Sequence, residues 1–357
     1  MVKRIYFVTP KPSWGSGNLS LYRSRTAALR QVQPPSALPG QIVRPLFEPD
    51  GVPMNTKILP SLLMLTLLLV LASPRGGEAQ SPERFIRMVE LLDQGEVVFG
   101  ASVPYRNVEG AVAMSRSTDA DFLFYDMEHS TFDVPQLQTF LQFLLDPARI
   151  LARGRPGTDH PVMVRIPANG REMNQWMIKN LLDQGVHGII APFIENGAQA
   201  ENVVRAMRYP QPPGATHPDP PGERGSGSGA AVRLWGVSGM EYRQLADLWG
   251  LSPRGELLNL MLIENEEGVR NIREIAQVPG VTVIVPAPGD LSSYYSGDRQ
   301  KVEAAIQTVL AACLEFDVPC GITAGPNDVV QRIQEGFRVL ITSGEGLRLG
   351  REAAGRP

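Results

Sequence analysis

The stretch FLFYDMEHSTFDVPQLQTFLQFLL, residues 122–145, joins a strand-like run to a helix-like run through a polar turn. Residues 122–127 are mostly apolar or aromatic, as in a strand buried on both faces. Residues 134–145 place apolar side chains at the i, i+3, i+4 and i+7 spacing of an amphipathic helix. Asp126, Glu128 and His129 lie where the apolar run ends. The stretch predicts one strand–turn–helix unit with titratable groups at the carboxyl end of its strand.

The same alternation is found along most of the chain. Seven more short apolar runs are bounded by Gly, Pro or charged residues, at 97–102, 162–167, 188–193, 259–264, 281–286, 320–325 and 338–343. Segments of helical spacing lie between them, among them 171–185, 198–208 and 299–316. Eight alternating units predict an α/β fold, a single (β/α)8 TIM barrel. A doubly wound sheet is the alternative, but no Gly-x-Gly-x-x-Gly opens a helix after an early strand.

The first 79 residues differ in composition from the rest. Residues 1–53 carry seven Lys or Arg against two acids and have no sustained apolar periodicity, so we expect a disordered segment or a leader upstream of a natural start at Met54. Residues 54–79 combine Lys57, an apolar run over 58–72 and small residues up to Ala79, which predicts a secretory signal peptide. The barrel domain would then be 80–357, periplasmic or secreted, with no stable membrane span after cleavage of the signal.

Composition limits the range of partners. The chain of 357 residues is 43% apolar and 20% charged, and its net charge of −3 gives no reason to expect nucleic acid as a partner. Cys313 and Cys320 fit neither a disulfide framework nor a Cys-x-x-Cys metal site, so we interpret them as core thiols.

One segment does not fit the repeating pattern. Residues 209–256, between the fourth and fifth apolar runs, begin with a stretch dense in Pro and Gly. The segment is too long for a simple connection, and we expect an active-site lid or a subunit contact, with a solvated insertion as the equally weighted alternative.

Polar residues capable of chemistry fall at the ends of several predicted strands. In a (β/α)8 barrel these ends meet at one mouth, where active sites are built. The residues concerned are Asp126, Glu128, His129, Arg165, Glu264 and Asp290. Taken singly, each has an ordinary structural role open to it, such as ion pairing for Arg165, helix N-capping for Asp290 or the acidic first turn of a helix for Glu264. Their shared position favours a common site.

The residue types suggest distinct roles. Glu264 and Asp290 would hold one hard divalent ion, Mg²⁺ or Mn²⁺, with water and substrate oxygens completing the shell. Arg165 offers a planar fork for a substrate carboxylate or an enolate oxygen. His129 is the candidate acid/base, and Asp126 is expected to orient it.

Five stretches together resemble the HpcH/HpaI aldolase family of the phosphoenolpyruvate/pyruvate barrels. They are ADFLFYDMEHSTFD, PVMVRIP, GVHGIIAPFIENGAQAENVVRAMRYP, LNLMLIEN and VPGVTVIVPAPGDLSS, and the similarity runs from about residue 95 to about residue 351. The resemblance implies reversible aldol cleavage of a 4-hydroxy-2-oxo acid to pyruvate and an aldehyde.

The resemblance also implies residue roles. Glu264 and Asp290 would bind Mg²⁺ or Mn²⁺, with Co²⁺ also possible, and His129 would act as base with Asp126 beside it. Arg165 would hold the pyruvyl oxygens, and the chain would form a homo-oligomer. From its place beside His129, we further expect Glu128 to orient the imidazole and metal-bound water and to help bind substrate.

Two positions depart from the family pattern, and other functions stay open. Leu262 stands where the family often has Gln, and Ala287 where it often has Gly. A secreted 2-oxo-acid or carboxylate-binding protein with little turnover is therefore the first alternative. A citryl-CoA or malyl-CoA type lyase is the second, and is less compatible with the short DMEHS arrangement after the second strand.

Overall fold

The computed structural model describes residues 84–117 and 119–356, and its centre is a ring of parallel strands. Its eight strands are β1 (Val98–Ser102), β2 (Phe122–Asp126), β3 (Val162–Arg165), β4 (Gly188–Ala191), β5 (Leu258–Ile263), β6 (Val283–Pro286), β7 (Gly321–Thr323) and β8 (Val339–Ile341). Each lies inside or within one residue of a predicted apolar run. Residues 1–53 and the predicted signal peptide at 54–79 lie outside the described residues, so those predictions stay predictions.

The strands pair in a single cyclic order. They follow the order β6-β5-β4-β3-β2-β1-β8-β7, and every pairing is parallel. One parallel bridge between Ile284 and Cys320 joins β6 to the start of β7 and brings the two ends of the sheet together. This seam between β6 and β7 is the least extensive strand pairing of the barrel, because the other neighbouring strands share three or four register pairs. The predicted (β/α)8 barrel is confirmed.

Helices surround the strands. Those in the described part of the chain are α1 (Arg87–Asp93), α2 (Val108–Arg116), α3 (Val134–Leu144), α4 (Pro147–Arg153), α5 (Asn169–Glu172), α6 (Gln175–Asp183), α7 (Gly197–Met207), α8 (Gly229–Trp235), α9 (Gly239–Leu245), α10 (Glu266–Arg270), α11 (Ile272–Ala276), α12 (Pro288–Tyr294), α13 (Arg299–Glu315), α14 (Val329–Glu335) and α15 (Gly344–Ala353). None of them is long and apolar enough to cross a membrane.

Burial explains why the strands read as continuous apolar runs. All six residues of β5 and all four of β4 and β6 are buried, since side chains of a barrel strand face either the packed interior or the surrounding helices. Cys313 on α13 and Cys320 before β7 are both buried free thiols, as predicted.

One predicted helix is interrupted. The segment 171–185 contains the end of α5 and all of α6, which are separated at Met173 by a backbone φ of 51°. A residue in the left-handed region cannot continue a right-handed helix, so the chain turns between α5 and α6.

The insertion 209–256 lies at the opposite end of the barrel from the strands' carboxyl ends. Trp235 of α8 stacks on His187, which precedes β4, with ring centroids 5.1 Å apart. Its indole nitrogen donates to the carbonyl of Gly185 at 2.9 Å. Glu256 accepts hydrogen bonds from the backbone amides of Phe85 and Ile86, both at 3.0 Å. The expectation of an active-site lid is therefore wrong.

The insertion is anchored to the domain by buried side chains, while residues 210–230 of its Pro- and Gly-rich part are mostly exposed, as the solvated alternative predicts. Arg208, fully buried, binds both carboxylate oxygens of Asp247 at 2.8 and 3.1 Å. Arg224 reaches Asp183 at 2.9 Å and the hydroxyl of Tyr242 at 3.0 Å. Arg208 also donates to the carbonyls of His217 and Pro220, which joins the Pro-rich segment to the end of α7, and Arg224 joins the insertion to α6 and α9. The expected subunit contact stays a prediction.

Candidate active site

Arg165 and Asp126 form the base of the site. They are register partners at the carboxyl ends of β3 and β2, so their side chains leave the sheet side by side. The guanidinium binds Asp126 through both oxygens, with Nε–Oδ1 at 2.9 Å and Nη2–Oδ2 at 2.6 Å. Burial alone would raise the pKa of Asp126, but the hydrogen bonds and charge of Arg165 outweigh it and the pKa is lowered. Asp126 is therefore a fixed carboxylate that holds Arg165.

Glu128 and His129 lie on the turn that follows β2. Asp126 Oδ1 accepts from the backbone amide of Glu128 at 3.0 Å and from that of His129 at 3.4 Å. Glu128 Oε2 lies 3.2 Å from Arg165 Nη1 and 3.5 Å from His129 Nε2. The structure thus differs from the expected pairing: Glu128 contacts the imidazole, while Asp126 contacts only the backbone of His129. The ring itself is largely in solvent, with a side-chain exposure of 66%.

Glu264 is the most deeply buried acid of the site. It follows β5, is 3% exposed, and accepts a hydrogen bond from the backbone amide of Phe193 at 2.6 Å. Its pKa is raised to about 8, chiefly by burial and also by the charges of Asp290 and Glu128, against the opposing effects of the Phe193 amide and Arg165. Burial likewise raises the pKa of Glu128, with Asp290 and Asp126 adding to the shift. Three acids thus repel one another around a small volume.

Asp290 completes the acidic group. It lies in the first turn of α12, directly after β6, and is half-buried. Ala287, not Asp290, is the N-cap of that helix, so the capping alternative for Asp290 is wrong. Glu264 precedes Asn265, which is the N-cap of α10. It therefore does not lie in the acidic first turn of that helix, which was the structural alternative for this residue. Both acids are left for another role.

Two of these acids, Glu264 and Asp290, offer oxygen ligands of the kind that a hard divalent cation takes. Glu128 Oε2 is buried without a hydrogen bond, although it is ion-paired with Arg165, and Glu264 has one backbone donor. Carboxylate oxygens in this state are ligands that Mg²⁺ and Mn²⁺ accept. Across residues 84–117 and 119–356 no three His, Cys, Asp or Glu side chains form a complete metal cluster. Glu264 and Asp290 would thus leave coordination positions to water and substrate.

Sequence reasoning missed a group beside Glu264. Phe193 and Glu195 follow β4, and Arg171 lies on α5 beside them. Phe193 contributes a backbone amide, for which its side chain gives no signal. Glu195 could have been found, since it follows an apolar run at the same mouth as the other acids.

Comparisons with known proteins agree with this geometry. The sequence profile of the HpcH/HpaI aldolase/citrate lyase family matches residues 109–340. A hydroxypyruvate/pyruvate aldolase of Delftia acidovorans is 30% identical over 259 residues, which cover 71% of this chain and 83% of the relative. A 5-keto-4-deoxy-D-glucarate aldolase of Klebsiella pneumoniae is 27% identical, with 65% and 80% covered. The solved structure of an HpcH/HpaI family protein from Burkholderia cenocepacia superposes with a TM-score of 0.59 at 26% identity, covering 76% of this chain and 98% of the other.

Proposed function

Because the chain belongs to the HpcH/HpaI aldolase/citrate lyase family, we propose that it is a metal-dependent carbon–carbon lyase. The reaction is the reversible retro-aldol cleavage of a 4-hydroxy-2-oxo acid to pyruvate and an aldehyde. The observation that carries the proposal is the convergence of the Arg165 fork with the half-buried Glu128 and the buried Glu264 at one barrel mouth. Relatives named as pyruvate and hydroxypyruvate aldolases support the substrate class.

Glu264 and Asp290 would hold Mg²⁺ or Mn²⁺. When bound, the ion supplies a Lewis acid that polarises the 2-oxo group of the substrate. The pair offers oxygen ligands only, which favours these hard cations over zinc.

Arg165 binds the carboxylate and oxo oxygens of the substrate. Asp126 accepts from Nε and from one Nη2 hydrogen, and Glu128 Oε2 lies 3.2 Å from Nη1, which leaves the second Nη2 hydrogen and one Nη1 hydrogen to donate. As the C3–C4 bond breaks, its electron pair becomes the enolate of pyruvate, and the guanidinium charge stabilises it. The ion pair with Asp126 fixes the fork before substrate arrives, so little ordering is needed on binding.

His129 moves the proton. The imidazole accepts the proton of the C4 hydroxyl as the aldehyde forms, a proton is then delivered to C3 of the enolate to give pyruvate, and condensation runs these steps in reverse. Glu128, 3.5 Å from Nε2, orients the ring. A Schiff base is not needed, and the two lysines of the described residues, Lys179 and Lys301, lie in helices and not at strand ends.

The proposal is tested by exchange of the C3 protons of pyruvate in D₂O, followed by NMR. Pyruvate is incubated with the protein and Mg²⁺ or Mn²⁺, then with EDTA, and Glu264→Ala serves as the matched inactive control. Exchange that depends on the metal and on Glu264 reports enolate formation without knowledge of the aldehyde. Metal binding without exchange would instead favour the carboxylate-binding alternative.

One position supports that second candidate. Leu262 is buried on β5 two residues before Glu264, where an apolar side chain provides no hydrogen bond for substrate. A carboxylate-binding protein would still bind pyruvate through Arg165. Calorimetric binding of pyruvate with no C3 exchange distinguishes it from the lyase.

Export and assembly are separate proposals. The signal-like segment 54–79 supports a periplasmic or secreted protein, and N-terminal sequencing of the mature chain tests for a start near Gln80. A homo-oligomer is expected from the family resemblance, and the mass in solution by light scattering tests it.

A further inference from the structure

The backbone donor to Glu264 belongs to a residue in an unfavourable conformation. Phe193 has a φ of 55°, in the left-handed region that aromatic residues rarely occupy. Its amide nitrogen lies 2.6 Å from Glu264 Oε2. A conformation of this kind persists only where the surroundings hold it, and such residues concentrate at functional sites.

The start of α5 packs directly against the Phe193 turn. Gly170 donates its amide to the carbonyl of Pro192 at 3.0 Å. A Cβ atom at position 170 would lie 1.8 Å from the carbonyl oxygen of Phe193, so only glycine allows this approach. The turn after β4 is therefore in close contact with the start of α5, the helix that follows β3.

Arg171 and Glu195 enclose Phe193 from the other side. The Arg171 guanidinium lies 4.7 Å from the centre of the Phe193 ring. Its Nε and Nη2 donate to Glu195 Oε1 at 3.1 and 2.9 Å. Arg171 is thus joined to Glu195 by an ion pair and to Phe193 by a contact with its ring.

The same carboxylate is tied to the segment that carries Glu264. Asn265, the next residue, donates its side-chain amide to Glu195 Oε1 at 2.7 Å. Asn271 donates to the backbone carbonyl of Glu195 at 2.8 Å. Glu195 therefore connects the turn after β4 to the turn after β5, on both sides of the hydrogen bond between Phe193 and Glu264.

We propose that Arg171 and Glu195 are positioning residues, which hold the amide of Phe193 on Glu264 and so fix that carboxylate for a divalent cation. The inference rests on the proposed function, in which Glu264 is a metal ligand. A donor held on Oε2 restricts rotation of the carboxylate and leaves Oε1 to the ion. Loss of such supporting contacts commonly weakens metal binding by about 10-fold to 100-fold.

The first measurement reports on the Phe193 amide without any metal. Pro192–Phe193 is the one Pro-Phe step in the sequence, so labelling with ¹³C-carbonyl proline and ¹⁵N-phenylalanine gives a single correlated amide signal. Hydrogen exchange of that amide is compared in the unaltered protein, Arg171→Ala and Glu195→Ala. We expect exchange to be at least about 10-fold faster in both variants, since the turn opens more often.

The second measurement is the affinity for Mn²⁺ by titration calorimetry and by the electron paramagnetic resonance of free Mn²⁺. Arg171→Ala and Glu195→Ala should each weaken binding by about 10-fold. Arg171→Lys keeps the charge but lacks the planar guanidinium, so its Mn²⁺ affinity should lie between those of Arg171→Ala and the unaltered protein. Arg273→Ala is the matched control, because Arg273 is 57% exposed and pairs with Glu315 at 2.8 Å, against 56% and 2.9 Å for Arg171 and Glu195.

Each result decides the proposal. Faster exchange together with weaker Mn²⁺ binding, both absent from Arg273→Ala, supports it. Unchanged exchange, or faster exchange with unchanged Mn²⁺ affinity, overturns the positioning role while the proposed lyase stands. Failure of the unaltered protein to bind Mn²⁺ overturns the metal-dependent function and this role with it. Arg171 is largely exposed, so its variants test the proposal even where Glu195→Ala fails to fold.

Discussion

The Arg165 guanidinium and the Asp126 carboxylate form a two-point ion pair, with distances of 2.9 and 2.6 Å between neighbouring strands. Bidentate pairs of this kind fix the plane of the guanidinium as well as its position. The pair thus sets the direction of the hydrogen bonds that Arg165 has left for substrate. In the proposed reaction, the integrity of this pair would matter most for substrate binding.

Replacing either partner of this pair should weaken binding of the 2-oxo acid. We expect Arg165→Lys and Asp126→Asn to raise KM for the substrate by about 10-fold or more, since a hydrogen bond to a charged group is worth about 1.5–3 kcal/mol. Steady-state kinetics measure the effect. Arg332→Lys is the control, because Arg332 on α14 also binds a carboxylate, that of Glu303, at 2.7 Å with both terminal nitrogens. A similar KM change in Arg332→Lys would contradict the assignment.

Proton transfer and metal binding should separate by mutation. His129→Ala should lower turnover by about 10²-fold or more, the usual contribution of a general acid or base, while Mn²⁺ affinity is retained. Glu264→Ala should abolish both. Turnover and Mn²⁺ titration on the same preparations give the comparison, and His129 is exposed enough for its removal to leave the fold intact. The opposite pattern, with metal binding lost only in His129→Ala, would refute these roles.

Metal affinity should depend on pH through Glu264. Its pKa of about 8 in the metal-free protein means that, at neutral pH, the cation must displace a proton. Apparent affinity for Mn²⁺ should rise with pH by up to about 10-fold per unit below pH 8 and level off above it. Calorimetry in buffers of different ionisation enthalpy counts the protons released. An affinity that is constant between pH 6 and 8 would show that Glu264 is already ionised.

A second buried acid should affect stability at the other end of the barrel. Burial raises the pKa of Glu256 to about 7, above its value in the unfolded chain, so the folded state binds the proton more tightly. Its contribution to the free energy of unfolding is fully present at acidic pH. It is lost as pH rises from about 4.5 to about 7, with a slope of at most about 1.4 kcal/mol per pH unit.

Glu256→Gln tests this dependence. Urea unfolding of the metal-free protein at several pH values gives the slope, which should be shallower in the variant. Glu264→Gln provides the comparison, since its own shift extends the same trend to about pH 8. Parallel curves for Glu256→Gln and the unaltered protein would mean that Glu256 is ionised in the fold.

Most of the fold could be predicted because barrel strands are buried on both faces. Apolar runs such as 122–127 and 259–264 therefore identify the strands. Their predicted bounds differ from the observed ones at the ends, where turn residues continue the apolar composition. The break at Met173 could not be predicted, since it depends on the packing of α5 against the turn after β4. The place of the insertion could have been deduced, because a segment between a helix and the next strand lies at the amino end of the barrel.

The candidate site was predicted as a set of residues but not as a set of contacts. Strand ends identified Asp126, Arg165 and Glu264. The pairing of Asp126 with Arg165 depends on the register of β2 and β3, which are 39 residues apart along the chain at these positions. Sequence proximity had instead suggested His129 as the partner of Asp126. The amide of Phe193 could not be found from side-chain chemistry at all.

The seam between β6 and β7 divides the ring into two functional arcs. Every residue assigned to chemistry ends or follows β2, β3, β5 or β6, and Phe193 follows β4, so the reactive groups lie on one unbroken arc of five strands. The remaining wall of the barrel consists of β7, β8 and β1 and carries none of these groups. It meets the arc at the seam between β6 and β7. Opening of the seam would move this wall relative to the arc without changing the spacing of the reactive groups. Under the proposed function, substitutions in this wall could therefore change the second substrate while Arg165, Glu264 and Asp290 stay in place.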